Sequence, residues 1–189
     1  IVARINIKSK DEIEKMRVAS RIVADTISYL GSLIQAGMTT YDLDRMAEEF
    51  IIKQKAKPAF KGYMGYKATL CVSVNEEVVH GLAIPDRTIK DGDVVGLDIG
   101  MWFEGLATDM ATTVIVGDVS EEVRALVKET RASLEVALST VRAGKWIHDI
   151  GNAIDDYLTP KGYGIVRDLV GHGVGHAIHE EPQIPHFRD

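Results

Sequence analysis

Two aspartates, Asp98 and Asp109, stand in the middle of two apolar runs that together read VVGLDIGMWFEGLATDMATTVIV over residues 94 to 116. Alternation along the first run puts Val95, Leu97, Ile99 and Met101 on one face and Val94, Gly96, Asp98 and Gly100 on the other, so Asp98 lies on a face of small residues. With a turn centred on Phe103-Glu104 the two aspartates fall directly opposite each other; a turn on Glu104-Gly105 staggers them without separating them far. Carboxylates directly opposed across a strand pair have Cβ atoms roughly 4.5–5.5 Å apart, and like charges there are destabilising. A proton shared between them, or a cation that both bind, compensates. The alternative, a solvated edge strand, fits poorly with the apolar residues on either side.

A metal site needs further ligands, and His172 in the glycine-rich GHGVGH of residues 171–176 is the best candidate. Glycine permits close approach, and neutral imidazole suits divalent transition metals. Carboxylates with one imidazole favour Mn, Fe, Co or Zn without selecting among them. Asp98 and Asp109 are suited to bridging two ions roughly 3.5–4 Å apart. A rival grouping takes His172, His176 and His179 as one face of a helix, but Gly171, Gly173 and Gly175 oppose helix formation and no H-E-x-x-H run occurs. His179, before Glu180-Glu181-Pro182, also reads as a surface-loop residue, and His80 as a hydrogen-bonded core histidine.

The elements that must position these residues are legible as periodicity. Ser9 and Glu12 have capping-box spacing, and Ile13, Met16, Val23, Ile27, Leu30 and Ile34 follow on one helical face, ending near Ala36-Gly37. A second helix runs from Thr40 with Leu43, Met46, Ala47, Phe50 and Ile51 apolar, and stops before Pro58. The arrangement returns: EEVRALVKETRASLEVALSTVRAG is a long amphipathic helix ending in Ala143-Gly144, and HDIGNAIDDYL is a short one behind it. Residues 36–50 align with 143–157 at an offset of 107, which predicts a duplicated half-domain. Each half then places a His beside Gly behind an apolar run, Val79-His80-Gly81 and Gly171-His172-Gly173. The fold class expected is α+β: two pseudo-symmetric halves whose helix pairs cover a curved, mainly antiparallel sheet, within one domain spanning 1–189.

Composition narrows the partners. The 189 residues are 46% hydrophobic and 26% charged, an ordinary globular balance, and the net charge of −6 with no basic run argues against nucleic acid. Cys71 is the sole cysteine, which excludes an internal disulfide and fits a reducing compartment. No stretch is long and apolar enough to predict a membrane span, and the polar N-terminus does not read as a signal peptide, so a cytoplasmic protein is expected. The start at Ile1 and the stop after IPHFRD suggest a trimmed chain.

Taken together and in order, AFKGYMGY, CVSVNEEVVHGL, GLDIG, ATDMATTVIVG and GHGVGHAIHEEPQIP resemble the type I methionine aminopeptidases of the pita-bread fold, from about Ser9 to Pro185. The resemblance implies removal of initiator methionine from nascent chains and peptides, at the ribosome, by a monomeric enzyme with two divalent ions (Co, Mn, Fe or Zn). It implies Asp98, Asp109 and His172 as ligands, and His80 and His179 as catalytic histidines that contact the substrate amine and the scissile carbonyl. It implies a methionine pocket of Phe60, Tyr63, Tyr66, Cys71 and Ile178, an apolar, aromatic and sulfur-lined cavity suited to a thioether. The family adds two glutamate ligands beyond the point where these 189 residues stop, making this an incomplete catalytic domain, and it favours another polar residue where His176 stands. A proline-directed aminopeptidase or dipeptidase of the same architecture, and a non-catalytic peptide-binding protein, are the alternatives.

Overall fold

A computed structural model of the chain describes residues 5–188. The first helix, α1 (Lys10–Leu33), starts where the capping box predicts: the Ser9 hydroxyl accepts the N–H of Glu12, and the Glu12 carboxylate accepts the N–H of Ser9. Its buried face is Ala19, Val23, Thr26, Ile27 and Leu30. Two expectations shift. Ile13 is exposed because the first turns of α1 run beyond the core, and the helix closes at Leu33, before Ala36-Gly37. Helix α2 (Thr40–Lys53) carries a second capping box, between Thr39 and Asp42, and buries Leu43, Asp44, Ala47 and Ile51.

The strands are β1 (Lys57–Pro58), β2 (Leu70–Val74), β3 (Val94–Phe103) and β4 (Leu106–Ile115). Strand β3 is the spine: β4 lies along one side, β2 and then β1 along the other, and every pairing is antiparallel. Val95, Leu97, Ile99 and Met101 are completely buried, as alternation requires, and α1 packs on β3 and β4 while α2 packs on β2. Strand β2 ends at Val74. Asn75 takes a left-handed φ of 58° and the Glu77 carboxylate accepts the Val74 N–H, which ends the ladder.

Helices α3 (Glu121–Thr140) and α4 (His148–Leu158) repeat the helix pair, with α3 stopping at Thr140, short of Ala143-Gly144. They are followed by β5 (Gly171–Gly173) and β6 (Glu180–Ile184), paired antiparallel with an irregularity between His172 and Gly173. The described residues cluster into two compact units, one of Ile7–Val119 with Val174–Ile178, the other of Ser120–Gly173 with residues 179–188 and 5–6. In the second unit Ala137, Ile154 and Leu158 form a small core with Ile150, Tyr157, Tyr163 and Ile165 against it. No helix among the described residues is long and apolar enough to cross a membrane.

Candidate active site

The β3–β4 hairpin sets the positions of the two aspartates, and its register corrects the first expectation. Phe103 pairs with Leu106, so the turn is Glu104-Gly105; Asp98 is opposite Ala111 and Asp109 opposite Gly100. The aspartates share one face as diagonal neighbours and are not directly opposed. The cause is the turn itself: Glu104 and Gly105 both have positive φ, 48° and 83°, the pattern of a tight type I′ turn that follows the right-handed twist of the strands.

The stagger does not remove the conflict. Burial first, then the neighbouring charge of Asp109 and a hydrogen bond with it, push the Asp98 carboxyl up to about 8. A carboxyl held this far above its ordinary range, beside a second one on a face of glycines, is a hard oxygen donor pair that a divalent cation would satisfy and a proton satisfies without one. The donor chemistry therefore fits the divalent ions expected. Among the described residues, no group of three or more His, Cys, Asp and Glu side chains converges as a ready metal cage. His172 and His179 belong to the second unit. Their rings approach with centroids 4.3 Å apart, and His172 Nδ1 lies 2.9 Å from the Gly173 carbonyl. The segment that carries His172, His176 and His179 is not helical, which removes the three-histidine helix face.

Around the Asp98 face the hairpin builds an apolar seat. Cys71 on β2 is directly opposite Asp98, and it packs with Phe60, Ala59, Ala107 and Ile178, with Tyr66 and Trp102 at the margin. Gly100 is the floor. A Cβ there would come within 2.5 Å of Phe60 Cε1 and 2.9 Å of Ile178 Cδ1, so only glycine lets both side chains close over the strand. Tyr66 donates its hydroxyl to the Gly81 carbonyl at 2.9 Å, and burial raises its phenol far above the usual range. Burial also pushes the Cys71 thiol up to about 12, so this sulfur stays neutral. Tyr63 sits on a turn at the surface, next to Met64, and does not join that cluster.

His80 is exposed and takes a left-handed φ of 57°. It is held there by Gly81, whose N–H donates to Ser73 Oγ at 3.1 Å and whose carbonyl accepts the Val72 N–H at 2.9 Å. A side chain on Gly81 would collide with the Val72 carbonyl at 2.3 Å, so the His-Gly pair is a requirement of the backbone path. Reading by periodicity overlooks Gly100, Ser73 and Asp44. Asp44 is buried, and one of its oxygens accepts the N–H groups of both Thr69 and Leu70, at 2.7 and 2.8 Å, where β2 begins. A carboxylate between Leu43 and Ala47 on the apolar face of α2 is the signal that points to it.

These features have counterparts in known proteins. Residues 14–189 match the model of metallopeptidase family M24. The chain is 44% identical over 186 residues to a methionine aminopeptidase of Borreliella burgdorferi, an alignment covering 98% of this chain and 74% of the relative. The crystal structure of methionine aminopeptidase from Thermotoga maritima matches with a TM-score of 0.96 at 42% identity, over 98% of this chain and 75% of that one. The prolidase from Pyrococcus furiosus matches with a TM-score of 0.85 at 25% identity, over 97% of this chain and 53% of that one. The helix pairs and antiparallel sheet are thus those of the pita-bread fold.

Proposed function

The chain belongs to the methionine aminopeptidases of metallopeptidase family M24, and from that premise we propose that it releases the initiator methionine from nascent chains and peptides at a centre of two divalent ions. The observation that carries this reading is the pair Asp98–Asp109, a raised carboxyl and its partner, set beside an apolar seat of Phe60, Cys71 and Ile178.

Asp98, Asp109 and His172 would hold ions drawn from Co, Mn, Fe and Zn. A divalent ion so held supplies Lewis acidity toward the scissile carbonyl and brings the pKa of a coordinated water toward neutrality. Phe60, Cys71, Ala107 and Ile178 bind the unbranched thioether side chain by shape and polarisability, and Gly100 lets Phe60 and Ile178 come close enough to the strand to form that wall. The neutral thiol of Cys71 offers sulfur contact without acting as a rival nucleophile or anion. His80, on its strained backbone, accepts from the substrate amine or takes its proton, and His179, beside His172, donates a hydrogen bond to the carbonyl. The protein works as a cytoplasmic monomer on chains emerging from the ribosome.

The test is release of methionine from Met-Ala-Ser by the protein carrying this chain, against its Asp98→Asn and Asp109→Asn variants. Loss of about a thousandfold or more is expected from removing one ligand of the centre. Full activity in either variant overturns the assignment. Because a prolidase shares the fold, Xaa-Pro peptides run alongside: preference for them over Met-Ala would replace this substrate with a proline-directed one.

A further inference from the structure

The loop of Val174–Ile178 belongs to the first unit and is fastened to it by contacts of different kinds. The Ala107 N–H donates to the Gly175 carbonyl at 2.7 Å. Ile178, 2% exposed, is seated against Phe60, Cys71 and Ala107. Between them, His176 Nε2 lies 2.6 Å from Glu12 Oε1, at the start of α1. Glu12 is also the capping-box residue of that helix, and its Oε2 accepts the N–H and the hydroxyl of Ser9 at 2.7 and 2.8 Å. One carboxylate thus caps α1 with one oxygen and ties the loop with the other.

The direction of the bond follows from chemistry. The bond to His176 first, then those from Ser9, hold the Glu12 carboxyl down to about 2, so at neutral pH it is an anion that only accepts. His176 Nε2 therefore carries the hydrogen. The loop is neither helix nor strand, and Gly175 has a φ of 141°, so its path depends on these anchors more than on local structure. His176 is one residue from Gly175 and two from Ile178, close enough for the tie to decide how far Ile178 reaches over Gly100.

We propose that Glu12 and His176 form a positioning clamp that sets the depth at which Ile178 closes the apolar seat, and so determines which N-terminal side chain the seat accepts. This rests on the reading of that seat as the methionine pocket. The clamp lies on α1 and the loop, outside the β3–β4 hairpin that carries the carboxylates. Its loss therefore weakens substrate binding and narrows the preference for methionine over leucine at the first position, while the turnover of bound substrate stays near its original rate.

The experiment compares His176→Ala, Glu12→Gln, the double variant and His176→Gln in the protein carrying this chain, with Met-Ala-Ser and Leu-Ala-Ser as substrates and amide exchange of residues 175–178 as an independent readout. Glutamine at position 12 preserves the capping box, so α1 persists. For a half-exposed charged hydrogen bond, KM in His176→Ala should rise about threefold to tenfold with kcat changed by less than about twofold. The double variant should be no worse than His176→Ala, His176→Gln should recover most of the loss through its neutral donor, and exchange of the loop should quicken in step. Unchanged KM and unchanged exchange overturn the proposal, as does a fall in kcat alone or full additivity in the double variant. Should the parent protein release no methionine, the functional reading fails, and loop exchange alone decides the clamp: faster in His176→Ala supports it, unchanged refutes it.

Discussion

The two units repeat one order of elements and pack it very differently. In the first, α1 and α2 each bury five residues and β3 buries Val95, Leu97, Ile99 and Met101 on one face. Within these 189 residues, α3 of the second unit buries Ser133 and Ala137 and leaves Leu126, Leu134 and Leu138 exposed. The aspartate pair and its apolar seat sit on the first unit; His172 and His179 sit on the second. Two carboxyls that repel need a scaffold rigid enough to keep them together, and a strand buried on its other face provides that. Among the described residues, the unit of the histidines on β5 and beside β6 has the small core of Ala137, Ile154 and Leu158.

The largest test of this contrast is truncation of one residue in each unit. In denaturant unfolding of these 189 residues, Ile99→Ala should cost about 2–5 kcal/mol, whereas Leu134→Ala on α3 should stay within about 0.5 kcal/mol. Equal losses would show that α3 is as firmly packed as β3. Next is Asp44→Ala, which strands the N–H groups of Thr69 and Leu70 and should cost about 1–3 kcal/mol, with faster amide exchange at both positions. Gly100→Ala should cost a similar amount, about 1–3 kcal/mol, by pushing Phe60 and Ile178 off the strand, and it should also raise KM for a methionyl peptide.

A smaller effect contrasts two carboxyls within the first unit. The folded-state pKa of Asp98 lies above its unfolded value, so its contribution in metal-free protein is fully present below an unfolded pKa of about 3.9. It is lost as pH rises through about 8. Melting temperature should fall along that range, and saturating Mn(II) should flatten the slope. Glu12 has the opposite sign: its depressed pKa gives a contribution present above the ordinary carboxylate range and lost only as pH falls through about 2. A metal-free protein whose stability is level from acid to mildly alkaline pH would count against the raised Asp98 carboxyl.

The capping box of α1, the bounds of α4, the strand alternation that hides Val95 to Met101, and the repeated helix pair are all legible in the sequence, because each is a local pattern with a fixed period. The turn is harder. Glu104-Gly105 stands where Asn-Gly or Asp-Gly would advertise a type I′ turn, and a glutamate at positive φ is too uncommon for the pattern to place it. That one-residue difference separates directly opposed aspartates from staggered ones. The apolar cluster beside the aspartates is legible only by resemblance: Phe60, Cys71 and Ile178 come from three separate stretches, and no periodicity brings them together. Gly100 and Asp44 escape because their importance lies in what approaches them. His176, which has no obvious use in the sequence, acquires one through Glu12, far away in the chain.

Whether Asp98 and Asp109 are paired in order to hold metal is tested without requiring turnover by calorimetric titration of Mn(II) into the metal-free protein carrying this chain, near neutral pH. Stoichiometric binding with proton release is expected in the parent protein, and its loss in Asp98→Asn/Asp109→Asn. Binding of equal stoichiometry and affinity in the double variant would contradict that expectation.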